Sequence, residues 1–132
     1  MRHSTGAKSH ISARKAAYAA ANAADDKKAH GTTILDVRQV TVIAEYFVIT
    51  GGDNQNQVRA IVESIDESLE KLGYRSGVIQ GKQEGRWVLL DYGDVIIHVL
   101  QEKERNFYKL EQFWNHALIV PVEEWRDEEL GK

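Results

Sequence analysis

The groups in this chain that could do chemistry gather in two places. One is Asp91-Tyr92-Gly93-Asp94 with His98 just beyond it; the other is Gly51-Gly52, leading into Asp53-Asn54. Asp91 and Asp94 could be an acid-base pair, or ligands of a two-metal nucleotidyl-transfer site, which wants carboxylates converging on cations roughly 4 Å apart. They bracket a reverse turn, however, and turn-forming aspartate is the commoner reason for such a pair. His98 has no second histidine at ligand spacing nearby, and His116 is far along the chain, so His98 reads first as a hydrogen-bonded strand residue. The glycine pair sits where an α/β protein often cradles phosphate. Yet there is neither a G-x-G-x-x-G nor a P-loop lysine, and a turn with unusual φ angles is the simpler expectation. No nucleophile motif surrounds any serine. The enzymatic reading is therefore a nucleotide-binding or nucleotidyltransferase-like protein using Gly51, Gly52, Asp91 and Asp94, and no cofactor or metal is expected.

The element that must position these groups is the stretch Arg86 to Leu100, RWVLLDYGDVIIHVL. Two apolar runs, Trp87 to Leu90 and Val95 to Leu100, flank a glycine able to take the positive φ of a tight turn, which predicts a β-hairpin. With Tyr92-Gly93 as the loop, Leu90 pairs with Val95, Leu89 with Ile96, Val88 with Ile97 and Trp87 with His98. Side chains alternate across a strand. One face then carries Val88, Leu90, Val95, Ile97 and Val99 and belongs in a core. The other carries Trp87, Leu89, Asp91, Asp94, Ile96 and His98, and this mixed face is the candidate binding surface. Its indole fits either packing under a helix or an exposed interface anchor.

Before the hairpin, an alanine-rich helix is expected from Ser12 to about Ala29, followed by a strand at Thr33 to Val37. Tyr46 to Thr50 is continuously apolar and fits a central strand covered on both faces, antiparallel to the preceding one. Gly51-Gly52 breaks it. Asn54 with Gln57 matches an amide form of the capping box, and Val58, Ile61, Val62, Ile65, Leu69 and Leu72 form the stripe of the clearest helix, stopped by Gly73. Arg75 to Gln80 is a third strand, reached by a right-handed parallel crossover. Lys103 to His116 is a helix with Phe107, Leu110, Phe113 and Trp114 on one side, ended near Pro121.

At 132 residues the chain is the size of one domain. The boundaries read as a disordered or tag-like arm over residues 1–11, a domain over residues 12–122 and an acidic tail over residues 123–132 with Trp125 as its anchor. The fold class is mixed α+β, a mixed sheet of about five strands flanked by helices. No apolar run approaches a membrane span, and the absence of cysteine excludes disulfides and thiolate chemistry. A net charge of -3 argues against holding nucleic acid by phosphate neutralisation and suits a basic protein partner.

Three blocks resemble one family. EYFVITGG at Glu45 to Gly52 with Gln57-Val58, WVLLDYGDVIIHVLQ at Trp87 to Gln101, and RNFYKLEQFW at Arg105 to Trp114 are similar, in that order, to the motifs of the Iojap family of ribosomal silencing factors. Glu45 stands where that family usually has aspartate. The resemblance implies a nucleotidyltransferase-like fold without its catalytic carboxylates, usually as a homodimer in the bacterial cytoplasm. It implies binding to the large ribosomal subunit through ribosomal protein L-fourteen, which keeps the small subunit from joining when nutrients are short. The family's contact region maps onto Trp87 and its neighbours on the mixed face, and beyond it onto Arg105 and Tyr108 at the start of the last helix.

Overall fold

The computed structural model describes residues 5–75, 78–108 and 116–126, with side chains from Ala13 in the first helix and up to Arg105 in the third. In chain order the elements are α1 (Thr5–Asp26), β1 (His30–Asp36), β2 (Tyr46–Gly52), α2 (Gln55–Lys71), β3 (Val78–Gln80), β4 (Trp87–Asp91), β5 (Val95–Gln101), α3 (Glu102–Tyr108), β6 (Leu118–Ile119) and α4 (Val122–Trp125). The strands form one mixed sheet in the order β3-β4-β5-β2-β1-β6. Only the central β2-β5 pair is parallel; its neighbours are antiparallel.

Alternation gives the sheet two faces. Ile34, Val48, Val88, Leu90, Val95, Ile97 and Val99 point inward and are buried with the apolar stripe of α2 and the alanines of α1. Alanine has little side chain, so α1 lies close against α2, and Ser64 Oγ donates to the Ala23 carbonyl at 3.1 Å. The stripe Val58, Ile61, Val62, Ile65 and Leu69 is buried along its length. Capping sets where α2 begins. The Asn54 side chain accepts from the Gln57 N–H at 2.9 Å, while Gln57 Oε1 accepts from the Asp53 N–H at 2.6 Å. Gly73, at φ 95°, ends α2 and lets Tyr74 N–H reach back to the Leu69 carbonyl at 2.9 Å.

The mixed α+β architecture matches expectation, with a sixth strand, β6, that alternation over two residues could not signal. Four details differ. The α1 helix starts at Thr5, ahead of Ser12. The hairpin loop is Gly93-Asp94, so Asp91 pairs with Ile96, Leu90 with Ile97, Leu89 with His98, Val88 with Val99 and Trp87 with Leu100. The loop moves because Tyr92 is claimed elsewhere: its ring is buried and its hydroxyl donates to Asp66 Oδ1 on α2 at 2.7 Å. The third strand is described only as Val78–Gln80, parallel to β2 but separated from it by two strands.

The fourth difference is the tail, whose first residues are folded. Pro121 precedes α4, and Trp125 is buried against α1. Asn22 Nδ2 donates to the Trp125 carbonyl at 2.7 Å, and Arg126 pairs with Asp25 at 2.8 Å. The expected continuation of the last helix through Leu110, Phe113 and Trp114 lies outside the described residues. Replacing Trp125 with alanine therefore removes a core side chain, and urea unfolding should show a loss of about 3–5 kcal/mol. An unchanged midpoint would mean that the acidic segment is not part of the fold.

Candidate functional site

The outer face of the sheet carries Trp87, Leu89, Asp91, Ile96 and His98 of the expected mixed surface, while Asp94 lies in the hairpin loop. Because an error of one residue on each strand moves the register by an even number, the sorting into faces survives the shift of the hairpin loop. Through the pairings, Leu35, Phe47, Ile96 and Asp91 form one row across the face. Thr33, Ile49, His98 and Leu89 form the next, and Leu100 and Trp87 the third. Leu35, Val37, Ala44, Phe47, Ile49 and Leu100 make a small second core here, against which Trp87, Ile96 and Ala117 are only partly buried.

Trp87 and His98 are bonded to each other. The indole Nε1–H donates to His98 Nδ1 at 3.0 Å, with ring centroids 6.0 Å apart. Phe47 meets the same imidazole edge-on at 6.2 Å. An accepting Nδ1 requires the neutral ring with its proton on Nε2. Burial among Phe47, Ile49 and Trp87 penalises the cation and pushes the His98 pKa down to about 4. The histidine thus fixes the orientation of the indole.

Trp87 is also held from behind by the Gly81–Gly85 loop. Arg59 of α2 donates to the carbonyls of Lys82 and Gln83, and Gln55 Nε2 donates to the Glu84 carbonyl at 2.8 Å. Gln101 closes the other side, its Nε2 on the Gly85 carbonyl at 3.0 Å and its N–H on the Arg86 carbonyl at 2.8 Å. Gly85 takes φ 68° with its α-carbon against Gln55, where a Cβ would come within 2.6 Å of Gln55 Cγ.

Three groups of the enzymatic reading, Gly51, Gly52 and Asp91, have structural roles. Gly51 and Gly52 do not break β2; both lie inside it, outside the positive-φ region. Their smallness serves close packing, since a Cβ on Gly52 would sit 3.3 Å from Val58, Ile61 and Gln57, and one on Gly51 3.2 Å from the Leu100 carbonyl. Asp91 Oδ1 accepts from the Gly93 N–H at 2.8 Å, the local turn bond expected of such an aspartate. Half-buried Asp94 occupies the loop, and its carbonyl accepts from the Glu45 and Tyr46 N–H groups. Arg105 turns inward, its Nη1 donating to the His30 carbonyl at 3.1 Å, and the Tyr108 side chain lies outside the described residues.

Among the described residues, one group could offer ligands to a cation: His30, Asp53 and Glu102, with ligand atoms within 4.8 Å of one another. All three are exposed, and His30 Nε2 already meets Asp53 Oδ1 at 2.8 Å, so these two have each other as partners.

A family model described as "Ribosomal silencing factor during starvation" matches residues 10–131. The chain belongs to this family. The ribosomal silencing factor RsfS of Bacillus subtilis is 38% identical over 104 residues, 79% of this chain and 88% of that protein. The mouse "Mitochondrial assembly of ribosomal large subunit protein 1" is 32% identical over 73 residues, 53% of this chain and 32% of that protein. A crystal structure of a Chromobacterium violaceum protein superposes with a TM-score of 0.76 at 29% identity, covering 78% of this chain and 86% of that one.

The sheet face that bears Trp87 was visible in the alternation of Trp87 to Gln101. What spacing could not show is the support beneath it. Gln55 and Arg59 are distant in sequence from the loop they hold, and their only local signal is being polar and off the α2 stripe. One consequence is a pH dependence. The folded-state pKa of His98, about 4, lies below the ordinary 6.5, so the unfolded chain binds the extra proton first. His98 then contributes stability that is fully present above about pH 6.5 and is lost as pH falls toward 4, by up to about 3 kcal/mol. Denaturant melts of the wild-type protein and a His98→Gln variant, compared at pH 7 and 4.5, should show a smaller acid loss in the variant. Equal losses would mean that His98 is not buried neutral.

Proposed function

We propose that this chain represses translation by docking on the large ribosomal subunit through ribosomal protein L-fourteen, where its bulk keeps the small subunit from joining when nutrients are scarce. The observation that carries the reading is Trp87. It is a half-buried indole locked in one orientation by His98 on a face whose neighbours Leu89 and Ile96 are also half-buried. Large aromatic side chains presented on rigid strands are the usual anchors of protein interfaces. Asp91 and Asp94 at the turn would face basic groups of the partner, in keeping with the net charge of -3. The mouse relative's name points to the same subunit.

The action is steric and not catalytic. The close packing at Gly51 and Gly52 and the turn bond of Asp91 support this reading over the nucleotidyltransferase alternative. Trp87→Ala should lower affinity for isolated large subunits roughly thirtyfold or more, corresponding to about 2 kcal/mol. Circular dichroism confirms the variant's fold, and unchanged co-sedimentation would remove Trp87 from the interface. ATP with magnesium should leave the melting temperature where it is; a concentration-dependent rise would revive the enzymatic alternative.

The homodimer fits the open β6 edge. Leu118 and Ile119 there are 61% and 68% exposed, and the connector leaving Asp36 beside Leu118 exposes Val42 fully and Ile43 by 61%. Exposed aliphatics on a sheet edge, as at Leu118 and Ile119, favour burial against another chain. In analytical ultracentrifugation Ile119→Asp should shift the protein toward monomer while its circular dichroism spectrum stays that of wild type; a dimer indifferent to that charge would place the contact elsewhere.

A further inference from the structure

Gln55, Arg59 and Glu63 of α2 recur at four-residue spacing, so they lie along one line of the helix, beside its apolar stripe. All three face the Gly81–Gly85 loop. Gln55 Nε2 donates to the Glu84 carbonyl at 2.8 Å and Arg59 Nε to the Lys82 carbonyl at 3.2 Å. Arg59 Nη2 donates to the Gln83 carbonyl, and Lys82 Nζ stands 4.0 Å from Glu63. Among the described residues, every hydrogen bond of the Gln55 and Arg59 side chains ends on this loop. The loop needs such support. It joins β4 to β3, a three-residue strand at the edge of the sheet, and its own closure is the bond from the Gly85 N–H to the Gly81 carbonyl at 3.0 Å.

Where the loop lies decides where Trp87 lies. Gly81 packs against the backbone of that residue so closely that a Cβ would overlap the Trp87 carbonyl oxygen, and Gly85, two residues before the indole, packs against Gln55. We infer that Gln55 and Arg59 are positioning residues of the docking surface, holding three consecutive loop carbonyls so that β4 presents Trp87 in the pose its partner meets. The inference rests on the docking reading above and adds to it residues that never touch the partner. One stripe of α2 closes the inner core, while the neighbouring polar line sets the outer face. His98 fixes the rotation of the indole, and the helix fixes the backbone that carries it. The anchor is thus rigid before the partner arrives, and little ordering remains to oppose binding. Arginine suits the task, because its planar guanidinium holds several donors in a fixed fork and reaches two neighbouring carbonyls together.

The test is a double-mutant cycle on the full-length protein: wild type, Arg59→Ala, Trp87→Ala and the two combined, each measured for melting temperature and for affinity to isolated large subunits. Arg59→Ala should melt close to wild type yet bind roughly tenfold more weakly. Added to Trp87→Ala, the same substitution should change affinity by less than about twofold, because no anchor is left to position. Hydrogen exchange of the Gly81–Gly85 loop should quicken in Arg59→Ala while the buried stripe of α2 exchanges as before. An Arg59→Ala protein that binds as tightly as wild type overturns the inference. So does an equal loss in both backgrounds, which would mean that Arg59 meets the ribosome itself. A variant that melts far below wild type overturns it too, by showing that the arginine serves the whole fold. The docking reading stands or falls separately, on Trp87→Ala alone: unchanged binding by that variant sinks the reading, and the positioning role with it.

Discussion

The parallel pairing of β2 with β5 is the constraint from which the rest of this molecule follows. It sets Phe47 beside Ile96, Ile49 beside His98 and Gly51 beside Leu100 on the outer face, while Val48 and Ile97 turn to the helices on the inner one. Both strands are apolar nearly throughout, as strands with both faces occupied must be. The inner face is closed by α1 and α2. On the outer face, among the described residues, Phe47, Ile49 and Leu100 sit in a sealed core in the middle of the sheet, and Trp87 on the β4 side is partly buried. That asymmetry leaves a rigid, partly apolar surface facing outward.

Rigidity comes from polar contacts that are individually ordinary. The Trp87–His98 bond would mean little in water, but here it joins two half-buried rings whose only alternative is to lose a partner. It also keeps the imidazole neutral, which the burial demands. Below the indole, the loop that delivers it is tied at its backbone carbonyls by side chains of α2 and β5, so the surface is braced by the same helix that closes the inner core. Gly51, Gly52 and Asp91, whose types alone could suggest catalysis, have structural uses of their own. The glycine pair lets α2 and β5 approach, and Asp91 closes its turn.

Much of this was legible in the sequence because it is periodic. The α2 stripe as far as Leu69, the Asn54–Gln57 cap, the apolar β2 and the two faces of the hairpin all follow from local patterns and are present, while Leu72, expected on the stripe, is exposed at the helix end. The hairpin register was not legible, because Tyr92 is drawn to Asp66 across the domain, and a loop choice made from Tyr92-Gly93 alone cannot include that bond. Gly51-Gly52 looked like a strand break for the same reason: glycine signals either a turn or a close approach, and only the position of α2 decides between them. Trp125 in an acidic tail gave no period at all, yet α1 offers it a seat because alanines leave room. The outer-face residues of β4 and β5 were visible by alternation, whereas the bracing glutamines become meaningful only once distant segments meet.

The claim at the centre of this account is that the outer face, around Trp87, is the surface that meets the ribosome. Hydrogen–deuterium exchange on the free chain and on the chain bound to isolated large subunits reads it directly. Slowed exchange is predicted in the Gly81–Gly85 loop, at the outer end of β4 and in the Gly93-Asp94 turn, with α2 unchanged. Protection confined to the exposed sides of α1 and α2, with the β4–β5 hairpin unaffected, would contradict it.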